Sequence, residues 1–275
     1  MNNTQQIEYW NGAVGERWAN FQPQLDAAMA AITPRLLSFA APASGERVLD
    51  VGCGCGTTTA LLAQHVGPTG SVTGVDISEP MLKVARSRGI AANFLNADAA
   101  VHRFKPTHDL VFSRFGVMFF SEPAAAFANL RSAARAHGRL SFVCWGPVTE
   151  NLWATVPVDA ARAFLPPDAP VDPYAPGPFA FADETRLVHL LEEAGWRQVE
   201  VVPLASFMHL GATLEAALAQ SLRIGPLSRA VGQLDEATRA RLTQSVRAAL
   251  QSYLTGEGVA LPARCWLVSA RNPGS

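Results

Sequence analysis

Between Arg47 and Trp145 the chain repeats one pattern, a short apolar run, a glycine or polar break, a helical stretch and another short run. Arg47-Val48-Leu49-Asp50-Val51 reads as a strand, Thr57 to Val66 as a helix and Ser71 to Val75 as a second strand. Glu79 to Arg88 reads as a helix with Ser78 at its N-cap, and Ala91 to Leu95 and Asp109 to Ser113 as further strands. Pro123 to Ala136 reads as a helix stopped by Gly138, and Arg139 to Trp145 as a fifth strand. Alternating strands and helices require parallel pairing through right-handed crossovers, so the core is predicted to be a doubly wound α/β sheet. Such sheets bind ligands outside the carboxyl ends of their strands, where the strand order reverses. That edge is where chemistry is expected.

The flanks divide the rest. Residues 1–44 are predicted to form an N-terminal helical lid, with an aromatic segment from Tyr9 to Phe21 and a helix within Leu25 to Phe39. Residues 45–205 and 264–275 make the core, with a sixth strand at Gln198 to Leu204 and a final one at Cys265 to Ala270. Pro166 to Phe181 reads as an irregular loop. Residues 206–263 read as a helical insertion, broken near Gly225-Pro226 and expected to cap a substrate site.

Composition excludes several classes. A net charge of -1 offers no basic footprint for nucleic acid and no polybasic run for a membrane surface. No uncharged apolar run reaches roughly 18 residues, and Met1 to Glu8 has neither a basic nor an apolar leader region. Cys53, Cys55, Cys144 and Cys265 make neither a disulfide framework nor a metal set, so no metal is expected and a reducing cytoplasm suits them.

The informative run is Val48-Leu49-Asp50-Val51-Gly52-Cys53-Gly54-Cys55-Gly56. Glycines after a strand let the backbone turn sharply and approach a ligand. A dinucleotide fold wants G-x-G-x-x-G, with a pyrophosphate on the helix N-terminus. Here Thr57 stands where the third dinucleotide glycine belongs, and Asp50 would repel a pyrophosphate while suiting an ammonium group. Asp76 ends the second strand, where a carboxylate can accept from both ribose hydroxyls of an adenosine; its alternative use is to cap the next helix. Asp98, in Asn96-Ala97-Asp98-Ala99 after the third strand, can accept the exocyclic adenine N–H, with the Ala99 N–H reading a ring nitrogen.

Three segments, Val48-Leu49-Asp50-Val51-Gly52-Cys53-Gly54, Val75-Asp76-Ile77-Ser78 and Ala97-Asp98-Ala99, resemble the class I S-adenosylmethionine-dependent methyltransferases, in the bacterial small-molecule branch related to the ubiquinone/menaquinone C-methyltransferases. The resemblance implies a seven-stranded sheet in the order 3-2-1-4-5-7-6, the last strand antiparallel, and S-adenosylmethionine as cofactor with S-adenosylhomocysteine as product. It places the Gly52, Cys53 and Gly54 backbone on the methionine part, Asp50 near the ammonium, Asp76 on the ribose, Ile77 against the adenine face, Asp98 and Ala99 on its edge, and Met81 among the cofactor contacts. Ser113 and Arg114 would line the cofactor beside the methyl, and Arg17 would pair with its carboxylate.

The expected reaction is methyl transfer to a small-molecule acceptor by in-line displacement, which needs alignment above all. Phe115, Met118, Trp145 and Phe179 are the candidate acceptor wall. His209 is the one candidate base, required only for an acceptor that must lose a proton. Rival readings are a nucleic-acid or protein methyltransferase, a regulatory pseudo-enzyme that binds the cofactor, and a dinucleotide oxidoreductase. Ser113-Arg114-Phe115-Gly116 lacks the Asn/Asp-Pro-Pro-aromatic run of DNA amino-methylating enzymes. The chain is expected to act as a monomer or homodimer.

Overall fold

The computed structural model describes residues 3–166, 172–224 and 227–274. Four short helices open the chain, α1 (Asn3–Asn11), α2 (Ala13–Asn20), α3 (Gln22–Ala28) and α4 (Thr33–Ala40). The core follows as β1 (Arg47–Val51), α5 (Thr57–Val66), β2 (Ser71–Asp76), α6 (Glu79–Ser87), β3 (Asn93–Asn96), β4 (His108–Arg114), α7 (Pro123–Ala133) and β5 (Ala134–Trp145). Then come α8 (Leu152–Ala161), α9 (Glu184–Glu193), β6 (Arg197–Gly211), α10 (Leu214–Arg223), α11 (Ser228–Val231), α12 (Glu236–Gln251), β7 (Leu254–Thr255) and β8 (Gly258–Arg271).

The sheet order is β3-β2-β1-β4-β5-β8-β6, with β7 paired to β8. The expected path is therefore present, and one two-residue strand, part of the turn into β8, adds an eighth. The first five strands pair in parallel, and β8 runs antiparallel to both β5 and β6. Central strands are covered on both faces: Val48, Leu49, Val51, Leu110, Val111 and Phe112 are all buried. The chain winds leftward from β1 to β3 and rightward from β4 to β5, which sets the switch point between β1 and β4.

Three boundaries depart from the sequence reading. The helix expected to run to Ala136 stops at Ala133, and β5 begins at Ala134. Asn272 takes the carbonyls of Ala134 and Arg135, at 3.0 and 3.1 Å, which a continuing helix would need. Second, β6 runs on past Leu204 to Gly211 and β8 starts at Gly258 rather than Cys265. Trp145, the last residue of β5, pairs with Cys265, so Ala205–Gly211 and Gly258–Arg264 form a two-stranded arm beyond the carboxyl edge of the core. The 206–263 insertion is thus helical only between these strands. Third, the helical stretch expected within Leu25 to Phe39 divides into α3 and α4, parted at Met29 to Ile32. The Gly225-Pro226 break and residues 167–171 lie outside the described residues. No described helix is long and apolar enough to cross a membrane.

Candidate functional site

The loop after β1 turns on three glycines in the left-handed region, Gly52, Gly54 and Gly56, at φ 68°, 53° and 81°. Gly52 has a second constraint. A Cβ on it would lie 2.6 Å from the Cα of Gly116, so the β1 loop and the segment after β4 touch backbone to backbone across the switch point. Ser113, fully buried at the end of β4, fixes that approach by donating to the Val51 carbonyl at 2.8 Å and accepting from the Gly116 N–H at 3.1 Å. At Gly54 the space is open: a Cβ there would meet only Met81 Sδ, at 3.7 Å. The constraint on Gly54 is conformational.

Three carboxylates close this edge from below and beside. Asp50 is fully buried; its Oδ2 accepts from the Thr58 and Thr59 hydroxyls at 2.7 and 2.6 Å, and its Oδ1 has no partner among the described residues. Burial pushes its carboxyl up to about 6, against the hydroxyls and the more distant Arg114, which favour the charge. Asp76 accepts from the Gly54 N–H and the Ser78 N–H, both at 2.8 Å, so it braces the glycine loop and caps α6 at once. Burial raises its carboxyl too, opposed by these backbone donors. Asp98 accepts from the Ala100 N–H at 2.9 Å, and Asn129 of α7 holds the adjoining turn through the Ala99 carbonyl. The Cys53 and Cys55 thiols are buried and pushed up, that of Cys55 to about 12, which keeps them protonated and inert.

The N-terminal helices lie directly on this edge. Asn11 bridges the β2–α6 turn, donating to the Ile77 carbonyl at 2.8 Å and accepting from the Glu79 N–H at 3.0 Å. The Ser78 hydroxyl donates to the Trp10 carbonyl at 2.7 Å. The Trp10 indole packs with Cys55 and Met81, edge-to-face on Trp18 and Phe119. Arg17 does not face the loop; it donates to the Arg223 carbonyl at the end of α10, at 3.0 Å. Arg114 reaches Thr33 at 2.9 Å and Asp26 at 3.2 Å, and Asp26 also accepts from Thr57, the first residue of α5. A cavity of about 380 Å³ opens beside this cluster, lined by Leu37, Leu61 and Arg114 among others.

Aromatic rings line the edge beyond β4 and β5. Phe115 stacks on Trp145 with centroids 4.2 Å apart, Trp145 meets Trp153 at 4.7 Å, and Trp153 faces Phe179 at 6.1 Å. Phe115 holds a left-handed backbone, φ 61°, rare for a residue with a large side chain. Asn151, fully buried, orients the row: its Oδ1 accepts from Trp153 Nε1 and Arg264 N–H, and its amide donates to the Pro147 and Arg264 carbonyls. Met118 is packed in the core, its carbonyl accepting from Gly177. His209 stands on the β6 arm, its Nε2 3.0 Å from the Glu257 carbonyl, away from the row. Asn11, Asp26 and Asn151 escape a sequence reading because their partners Ile77, Arg114 and Arg264 lie far along the chain.

Residues 48–138 match the family described as "Methyltransferase domain". The ubiquinone/menaquinone biosynthesis C-methyltransferase UbiE of Pseudomonas putida strain F1 is 35% identical over 130 residues, 45% of this chain and 51% of that one. The chain therefore spans about half the length of the first curated relatives it matches. The protein of the same name in Cupriavidus necator strain H16 is 31% identical over 182 residues, 61% of this chain and 75% of that one. The chain belongs to the class I S-adenosylmethionine-dependent methyltransferases. The solved phosphoethanolamine N-methyltransferase 2 of Haemonchus contortus, in complex with phosphomonomethylethanolamine and S-adenosylhomocysteine, shares the fold of this methyltransferase at a TM-score of 0.56. It is 16% identical, and the match covers 98% of this chain and 59% of that one.

The edge of this methyltransferase fits an adenosyl amino acid on its own chemistry. The free Oδ1 of Asp50 wants a donor, which an ammonium supplies. The loop that carries Gly54 has room above it. The negative charge gathered in Asp50, Asp76 and Asp98 disfavours the pyrophosphate of a dinucleotide at the same edge.

Proposed function

We propose that this chain moves the methyl group of S-adenosylmethionine to a small-molecule acceptor with an apolar, aromatic body. The observation that carries the reading is the buried Asp50 with one unpartnered oxygen beneath a left-handed glycine loop at the switch point. When bound, S-adenosylmethionine supplies a methyl on a sulfonium leaving group, and in-line displacement then depends mainly on alignment. Asp50 receives the ammonium, Asp76 the ribose hydroxyls, and Asp98 with the Ala99 N–H the adenine edge. Ile77 and Met81 flank the adenine, and the Gly52, Cys53 and Gly54 backbone follows the methionine part. Ser113 acts through the loop rather than on the ligand, since both its hydrogen bonds are internal.

The row of Phe115, Trp145 and Phe179 supplies the acceptor wall and excludes water, which strengthens electrostatic interactions within. Residues 1–44 form the lid, and the arm with its helices between β6 and β8 forms the far wall of the cap. The balanced charge of the chain supports a small acceptor over nucleic acid. Calorimetric titration with S-adenosylhomocysteine and with NAD tests the reading. Binding of the former alone is expected; binding of NAD alone would sink it.

A further inference from the structure

Among the described residues, the buried side-chain polar atoms without a partner are Gln6 Nε2, Asp50 Oδ1 and Ser141 Oγ. Ser141 sits mid-sheet, paired with Phe112 and Ser269. Asp50 already has a role in the proposed site. Gln6 has none, although it is only 2% exposed.

The orientation of its carboxamide is fixed by chemistry. Trp10 Nε1 lies 3.2 Å from it, and an indole N–H only donates. The atom facing Trp10 is therefore Oε1, and the stranded group is the NH2. Gln6 and Trp10 are four residues apart and share one face of α1. That face is the one that meets the site. Trp10 packs on Cys55 and Met81 on the β2 side and on Phe119, 5.2 Å away, on the β4 side. The last turn of the helix thus sits between these two sides, anchored through Asn11 and Ser78, with two free N–H donors of Gln6 held dry one turn earlier. Burying a donor with no acceptor is costly.

We infer that Gln6 reads the bound ligand: its carboxamide NH2 donates to an acceptor atom of S-adenosylmethionine when α1 lies on the glycine loop. The inference rests on the proposed cofactor site and adds to it a donor from the lid. It also gives the lid a reason to close on the loaded site, because closure without ligand leaves the donor unsatisfied.

The test is calorimetric titration with S-adenosylhomocysteine of the parent, Gln6→Met, Trp10→Phe and the double variant, with the melting temperature of each ligand-free protein. Trp10→Phe removes the indole N–H that Gln6→Met would otherwise strand, so in that background the second substitution removes the carboxamide without leaving the indole N–H unpaired. Affinity should fall about tenfold from Trp10→Phe to the double variant, while the ligand-free melting temperature holds or rises. Unchanged affinity in that step, with a parent that binds, overturns the inference and leaves the cofactor reading standing. A loss of affinity that comes with a lower ligand-free melting temperature also overturns it, since that marks packing. A parent that fails to bind takes both readings down together.

Discussion

At the scale of single residues, the same carboxylate answers two descriptions that the sequence leaves as alternatives. Asp76 accepts from the Ser78 N–H at the start of α6 and also holds Gly54, so the placement proposed for the ribose and the structural role are one arrangement. Asp76→Ala would strip an acceptor from both N–H groups; Asp76→Asn keeps the shape and one acceptor. Losing the charged partner of a ribose hydroxyl costs about 1.5–3 kcal/mol, so Asp76→Asn should weaken S-adenosylhomocysteine about tenfold to a hundredfold in calorimetry. Full affinity in a folded variant would refute the ribose role. Asp50 makes a prediction in pH. Its carboxyl is raised from 3.8 to about 6 by burial. The ligand-free fold therefore gains from protonation of Asp50 at low pH and loses that gain as pH rises through about 6. A ligand ammonium favours the charged form, so affinity should rise with pH through about 6 and then level. Asp76, also raised by burial, adds in the same direction. Asp50→Asn should flatten most of the step and raise the ligand-free melting temperature at pH 8; affinity falling as pH rises would contradict the assignment. The acids and glycines were legible in the sequence because their chemistry follows from residue type at a strand end. Gln6 and Asn11 were not, since Asn11 meets Ile77 across 66 positions and nothing local marks either residue.

At the scale of elements, the site depends on the β1 loop and the segment after β4 approaching without side chains between them. A Cβ on Gly116 would lie 2.6 Å from the Val51 carbonyl oxygen and 2.8 Å from the Gly52 Cα. Both neighbours are backbone and cannot swing away. Gly116→Ala should cost about 1–3 kcal/mol through overpacking, seen as a lower melting temperature together with lost S-adenosylhomocysteine binding. Gly256→Ala, where nothing lies within 4 Å of a Cβ, is the control and should leave both unchanged. The parallel core was legible because its strands are short, mostly apolar runs ended by a break. The arm was not, although its signal was present. Leu204, Met208 and Leu210 are buried while Ala205 and Phe207 are exposed, a strand period extending beyond the expected end. The long span to the next strand favoured a helical reading of all of it. The early stop of α7 is a different failure, because the carbonyls that end it are claimed by Asn272 from the far end of the chain.

At the scale of the whole molecule, the N-terminal helices meet β6 and the helical insertion that follows it. Arg17 of α2 donates to the Arg223 carbonyl of α10, α3 packs against β6, and Ser245 of α12 donates to the Ala160 carbonyl of α8. Chain economy points to the insertion as a cap, since a final strand needs only a short turn after the sixth. What length alone does not give is that the proposed lid and the insertion are joined to each other, with Arg17 spent on that joint rather than on a carboxylate. A joint of this kind has a consequence for dynamics. Segments that share contacts should open and close together, and ligand binding should protect them together. Hydrogen exchange with S-adenosylhomocysteine is therefore expected to slow the amides of α1 and α2 and those of α10 and α12 in parallel. Arg17→Ala removes a hydrogen bond to an exposed helix end, worth about 0.5–1.5 kcal/mol, so the global melting temperature should move little. Protection in α10 should then fall back toward its ligand-free level while α1 stays protected through Asn11 and Ser78. The rival role for the insertion is a face between two copies of the chain. In that case α10 and α12 gain nothing from the ligand and lose protection on dilution, and the cap proposal fails.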